Sequence, residues 1–361
     1  MKYFLCLFLV LLLGCSNEKD PGPISLSDRE TALQGIGSAA IIRSFLELQN
    51  SANALNEFAI SYQHDSTSTQ KLLVLRKEWV NSAVAWKTAA IFLQGKFSTD
   101  ISSSNLYAQA NANAIEDIIS SNVPRFDQTY MRSLLETSTG LAAIEYLIYG
   151  TNRENAASVI AAFSARGSRR GAFLRGLCLD LKRRSDQLLY QWSTGGNGYL
   201  NQFVASSGPE RSSSIGVLTD NMIATIAKIK EERLGAPLGV NEGTARPALV
   251  ESKYSGESTA LLRAELKSVE QSFSAWRTDG IGARALYWLL DQAGAKSADM
   301  ALSKALEAQF MDIVYKLNLI KTPLEQAILT DPQQVMAVYE SVGKLQNMLQ
   351  NEVIAGLHFR D

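Results

Sequence analysis

Apolar residues recur along this chain at alternating steps of three and four. Ile41, Phe45, Leu48, Ala52, Leu55, Ala59 and Tyr62 form one series. Leu72, Leu75, Trp79, Ser82, Trp86, Ala90 and Leu93 form a second. Leu302, Leu306, Phe310, Ile313, Leu317 and Ile320 make a third, and Val335, Val338, Val342, Leu345 and Leu349 a fourth. Such steps put each series on one face of an α-helix. No proline falls between Pro23 and Pro124, between Pro124 and Pro209, or between Pro247 and Pro323. Those windows carry no residue that would break a helical hydrogen-bond ladder. No alternating run flanks an Asn-Gly turn, so no β-hairpin is expected. The pattern predicts an all-α protein. Two irregular stretches, 193–214 and 235–258, hold glycines and prolines. Helices before and after them predict two antiparallel helical-bundle halves, 29–200 and 201–361, the second carrying the long loop 235–258. Loops of that length are often functional.

The N-terminus follows another pattern. Lys2 supplies a positive charge, an apolar run spans Phe4 to Leu13, and Leu12-Leu13-Gly14-Cys15 follows. A charged start, a short apolar core and a small residue make a secretory signal. The run is shorter than the roughly 20 residues a stable membrane span needs. A cysteine directly after Leu-Leu-Gly resembles a lipobox. Residues 1–14 are therefore expected to be a lipoprotein signal peptide, with Cys15 acylated as the new N-terminus. Residues 15–28, mostly polar and carrying Pro21 and Pro23, read as a flexible tether. The domain is thus expected in the cell envelope, anchored to a membrane by lipid. Ser16 is not the aspartate that retains many lipoproteins at the inner membrane, which favours the outer one.

Composition narrows the function classes. Lysine and arginine number 35 against 36 acidic residues, so nothing favours nucleic acid. Cys6 leaves with the signal and Cys15 is acylated. Cys178 remains between Leu177 and Leu179, reading as a buried, inert thiol with no internal disulfide partner. The basic residues Arg166, Arg169, Arg170, Arg175, Lys182, Arg183 and Arg184 do not trace one helix face. A solvated surface is the simpler reading, with attraction of an acidic polysaccharide or lipid headgroups as the alternative. The chain has two histidines. His64 sits in a polar loop after a helix and His358 close to the C-terminus, so neither is expected to bind metal.

The segment Gly140-Leu141-Ala142-Ala143-Ile144-Glu145-Tyr146-Leu147-Ile148-Tyr149-Gly150 carries the clearest chemistry. Leu134, Ser138, Leu141, Glu145 and Ile148 share one helical stripe, which turns the Glu145 carboxylate inward. A buried carboxylate needs a partner or a proton; at the stripe's edge it would instead reach water. This segment resembles the signature of the imelysin family, bacterial envelope proteins with Gly-x-His-x-x-Glu followed by an aromatic, two aliphatics and a closing glycine. Trp79, Trp86, Phe92 and Gly95 resemble the family's upstream aromatic helix. Arg233-Leu234-Gly235-Ala236-Pro237-Leu238 and Val250-Glu251-Ser252-Lys253-Tyr254-Ser255 resemble a segment linking its two halves. The resemblance implies an all-helical fold of two bundle-like halves with a site between them, and links to iron uptake and to peptidase activity.

Two departures weigh against chemistry. A histidine and a glutamate at i and i+3 on one helix can hold one ion, but Ala142 occupies the histidine position. Ala90 stands where many relatives carry a glutamate. Both changes replace a polar group by a methyl, so the former polar centre is expected to be filled with core. Glu145 would then be satisfied by a hydroxyl, an arginine or water, with Ser138 a candidate. By resemblance Glu251, Ser252, Tyr254 and Ser255 line the cleft; by themselves they read equally as loop residues capping helices. The leading expectation is a non-catalytic protein binding an envelope protein or a small ligand, associated with iron uptake. An imelysin-type metallopeptidase, and a polysaccharide-binding or structural surface lipoprotein, are the alternatives. No cofactor is expected; iron or zinc held through Glu145 is the reading kept beside it.

Overall fold

The computed structural model describes residues 24–93, 107–151, 155–165, 167–193, 195–275 and 284–360. The segment read as a signal peptide, Cys15, most of the expected tether, Gly95 and Arg166 lie outside the described residues. The fold is all-α. The first half contains α1 (Leu26–Ile36), α2 (Ile42–His64), α3 (Thr69–Ala89), α4 (Ala112–Ser120), α5 (Gln128–Ser133), α6 (Gly140–Tyr149), α7 (Ala156–Ser164) and α8 (Arg170–Trp192). There follow α9 (Tyr199–Ala205), α10 (Ser214–Lys228), α11 (Ala236–Leu238), α12 (Ser258–Ser274) and α13 (Leu286–Gln292). A two-stranded ribbon, β1 (Lys296–Ser297) and β2 (Met300–Ala301), leads into α14 (Leu302–Leu319), α15 (Leu324–Thr330), α16 (Pro332–Asn347) and α17 (Ile354–Gly356).

The apolar series become buried faces. Every member of the first, third and fourth series is buried, and so is the second apart from half-buried Ala90. The first series fixes α2 between α3 and α8, and the last two pack α14 against α16. Each fully buried large side chain, such as Trp79, Phe45 or Leu306, contributes about 1.5–3 kcal/mol relative to exposure. Helix α1 starts inside the span assigned to the tether, because the Ser25 side chain accepts a hydrogen bond from the Asp28 N–H at 3.1 Å. That helix packs against α9, α10, α12 and α13. Its Arg29, 1% exposed, donates to the Leu357 carbonyl at 2.6 Å. Helix α12 in turn lies against α3, and one continuous core runs through the described residues.

Three departures from regular helix matter. Helices α1 and α2 are joined through a π-helical stretch, Gly37–Ile41, and others span Ile229–Gly235 and Met348–Val353. The irregular stretch 193–214 contains α9. The absence of an Asn-Gly signal did not exclude a hairpin: β1 and β2 pair through a turn in which Ala298 takes φ 51°. An alanine in that left-handed region gives no sequence cue. No described helix is long and apolar enough to cross a membrane.

Candidate functional site

Helix α6 is the innermost element around the site. All ten of its residues are buried, as suits a helix apolar on every side. Glycines bracket it: Gly140 at φ 69° and Gly150 at φ 68°, a region that favours glycine. Helix α3 holds it by side-chain bonds to backbone. Trp79 Nε1 donates to the Leu141 carbonyl at 2.8 Å, and Arg76 Nε donates to the Ile148 carbonyl at 2.9 Å. The continuous stripe from Leu134 to Ile148 does not exist. Helix α5 ends at Ser133, the backbone of Leu134 and Leu135 is extended, and α6 begins only at Gly140. Glu145 nevertheless points inward and is 1% exposed.

Its partners come from the long loop. Glu145 Oε1 accepts from the Ser252 hydroxyl and from the Ser255 backbone N–H, both at 2.8 Å. Glu145 Oε2 accepts from the Tyr107 hydroxyl at 3.0 Å. The Ser252 and Ser255 hydroxyls are 2.7 Å apart. Ser138 is buried but is not among the partners described for Glu145. Tyr254 stays half-buried and packs edge-on against Tyr146 at 5.4 Å. Of the residues singled out in the sequence, Glu145, Ser252 and Ser255 form one hydrogen-bonded cluster, and Tyr254 borders it. Desolvation raises the Glu145 carboxyl above its ordinary range, against the opposing effect of these hydrogen bonds.

A charged cluster adjoins it. Lys87 Nζ, in the last turn of α3, lies 2.6 Å from Glu251 Oε1 and 2.8 Å from Glu265 Oε1. Arg233, carried on the π-helical stretch, places Nη2 2.9 Å from Glu251 Oε1 and Nε 3.8 Å from Glu265 Oε2. The Lys87 ammonium also lies 5.0 Å from the centre of the Tyr107 ring. Tyr107 thus touches both clusters. Burial and the neighbouring carboxylates Glu145 and Glu251 push its hydroxyl well above the usual phenol range. Burial alone would raise Glu265, but Lys87 and Arg233 outweigh it and hold this carboxyl below its usual range. The interior was expected to be core, and it is not. Two cations and two carboxylates balance each other there, which is the condition under which buried charge is tolerated.

The sequence matches the imelysin family model (Peptidase M75) over residues 41–351. The chain belongs to the imelysin family. Among solved structures, it is similar to an imelysin-like protein from Psychrobacter arcticum. That likeness has 16% identity and a TM-score of 0.72, over 93% of this chain and 98% of that one. It is also similar to a putative iron-regulated protein A precursor from Parabacteroides distasonis. There the identity is 14% and the TM-score 0.74, over 93% of this chain and 96% of that one. At such identities the likeness shows a shared fold. No curated protein matches the chain.

The imelysin signature raises the question of a metal, and the residues present do not fit one. Ala142 offers no lone pair. The space between Glu251 and Glu265 is taken by an ammonium group, and both Glu145 oxygens already accept hydrogen bonds. Among the described residues, no three His, Cys, Asp or Glu side chains are grouped to hold an ion. His64 and His358 are both exposed. The residues that complete this centre were missed in the sequence, although signals existed. Lys87 is the sole charge between Glu78 and Lys96, and Glu265 interrupts the apolar face of Leu261, Leu262 and Val269. Tyr107 carried no comparable signal. Cys178 is fully buried, and burial pushes its thiol up, as expected for an inert core residue.

Proposed function

We propose that this imelysin-family chain is a non-catalytic binding protein of the cell envelope, lipid-anchored at Cys15, that holds a small ligand or a protein partner. Lys87 carries the reading. Its ammonium group fills the space between Glu251 and Glu265 that a bound cation would need. Metal-assisted hydrolysis requires several lone-pair ligands and an open position for water. A centre closed around a lysine, with Glu145 accepting three hydrogen bonds, favours a structural role over a hydrolytic one. The association with iron uptake rests on the family resemblance; the name of one solved neighbour, a putative iron-regulated protein A precursor, supports a link to iron. The outer membrane is the proposed location, on the strength of Ser16 after the acylated cysteine.

Metal content tests the reading. The chain from Ser16 onward, measured before and after incubation with iron or zinc, is expected to hold no stoichiometric ion. One ion per chain, lost in Glu145→Gln, would overturn the proposal and return peptidase chemistry to consideration. The anchor has its own test. Cys15→Ala is expected to move the protein from the membrane fraction to the soluble one and to abolish incorporation of labelled palmitate. Unchanged membrane retention would refute lipidation at Cys15.

A further inference from the structure

The basic stretch of α8 divides into engaged and unengaged members. Arg169 donates to the carbonyls of Ser121 and Val123, and Arg170 pairs with Glu116. Lys182 pairs with Asp186 at 2.7 Å and Arg184 with Asp180 at 2.6 Å. Arg175 and Arg183 behave differently. They lie about two turns apart on α8 and, with Arg125, line a cavity of about 730 Å³ between that helix and the segment 125–129. Among the described residues no ion pair or hydrogen bond is described for these three arginines, and all three are exposed. Gly176 shapes the floor. A Cβ there would meet the Phe126 carbonyl oxygen at 3.0 Å and the Met131 sulfur at 3.2 Å, so glycine lets the segment ride close to α8.

The other polar groups of the wall ask for hydrogen bonds. Gln128 and Thr129 line the cavity without net charge, and exposed Asp127, whose Oδ1 accepts from the Tyr130 N–H at 3.0 Å, sets one carboxylate against the three arginines. Asp180 lines it too. It is 6% exposed, and its Oδ2 is held by Arg184. Its Oδ1 is buried out of reach of the cavity and has no hydrogen-bond partner among the described residues. Three guanidinium groups suit carboxylate or phosphate oxygens. An amide and a hydroxyl suit partners such as sugar hydroxyls. The volume falls in the range of about 300–1,000 Å³ common for small-molecule sites, more than a simple inorganic anion fills.

We propose that this cavity binds a sugar-sized hydroxylated anion. Arg125, Arg175 and Arg183 pair with its carboxylate or phosphate, and Gln128 and Thr129 bind its hydroxyls. The site shares no residue with the Glu145 and Lys87 clusters, so it stands or falls independently of them.

Calorimetric titration of the chain from Ser16 onward is the test. Glucuronate and glucose 6-phosphate are the probes; glucose, acetate and inorganic phosphate are the controls. At least one probe is expected to saturate at one per chain and bind at least about tenfold more tightly than every control. Saturation by glucuronate assigns a carboxylate ligand, and by glucose 6-phosphate a phosphate ligand. Arg175→Gln with Arg183→Gln is expected to weaken binding at least about tenfold while leaving the thermal midpoint unchanged, and exposed Lys321→Gln to leave binding intact. If the double variant unfolds, Arg125→Gln on the facing wall carries the same expectation. Absence of saturable binding by both probes would overturn the proposal. So would control affinities equal to those of the probes, or binding indifferent to the arginine substitutions.

Discussion

Lys87→Met is expected to destabilise the protein by about 3–5 kcal/mol at neutral pH, the cost of leaving a buried ionic partner uncompensated. Methionine preserves most of the side-chain volume, so a packing defect contributes little. What it removes is the ammonium within 2.8 Å of both Glu251 and Glu265. Arg233 still reaches Glu251 at 2.9 Å but lies 3.8 Å from Glu265, so Glu265 bears most of the loss. The pH dependence gives the mechanism away. In the wild type the Glu265 carboxyl is held below its usual range, so its contribution to stability is present above the unfolded pKa and lost as pH falls through the folded one. Without Lys87, desolvation dominates, the folded pKa rises above the unfolded value, and the sign reverses. The stability gap between wild type and Lys87→Met therefore widens from acidic to neutral pH. Denaturant unfolding followed by circular dichroism measures this. Adding Glu265→Gln to Lys87→Met is expected to restore part of the loss. A single variant as stable as the wild type would mean that the cluster contributes no net stability.

Glu145→Ala is the second large effect, and its contrast with Glu145→Gln is the informative part. Alanine removes the acceptor of the Ser255 N–H and of the Ser252 and Tyr107 hydroxyls; the Ser255 N–H loses this acceptor at a cost of about 1–3 kcal/mol, while the two hydroxyls have neighbouring groups to turn to. Glutamine keeps a carbonyl oxygen for Ser252 and Ser255, and its amide can donate to the Tyr107 oxygen, so Glu145→Gln is expected to fold normally. Burial raises the Glu145 carboxyl above its ordinary value of 4.5. As pH rises above that value the unfolded chain loses this proton while the folded chain keeps it, so stability falls until the folded pKa is passed. Glu145→Gln removes that decline. Its stability relative to wild type is expected to improve between acidic and neutral pH, while Glu145→Ala remains destabilised throughout. Equal stability losses in the two variants would show that the three hydrogen bonds contribute little.

Both experiments address residues that differ in how they could be found. Glu145 was legible as a candidate: its place in an apolar segment between Gly140 and Gly150 turned it inward, while spacing left open an edge position reaching water. The stripe drawn through it was wrong upstream. Periodicity counts steps but does not detect that the backbone at Leu134 and Leu135 leaves the helix. Losing the histidine and glutamate positions to Ala142 and Ala90 suggested that the polar centre had become core. The replacement charge came instead from Lys87, three residues before Ala90 on the same helix turn, together with Arg233 and Glu265. Those two lie far along the chain, and no local pattern ties them to α3.

The sequence by itself determined the all-α class, the positions of α2, α3, α14 and α16, and the inward face of each. Burial of an apolar stripe is a local, periodic demand that a helix meets wherever it packs. It also singled out Glu145 as the candidate for an inward carboxylate and determined that Ala142 cannot ligate a metal. Tertiary structure alone decided which groups satisfy Glu145. It brought the Ser252–Ser255 turn against α6, more than a hundred residues away in sequence, and set Lys87 between two carboxylates from separate elements. The physical reason is that a buried charge specifies only that it must be paired. Which partner answers depends on how distant helices pack, and that information lies in the sum of all the core contacts.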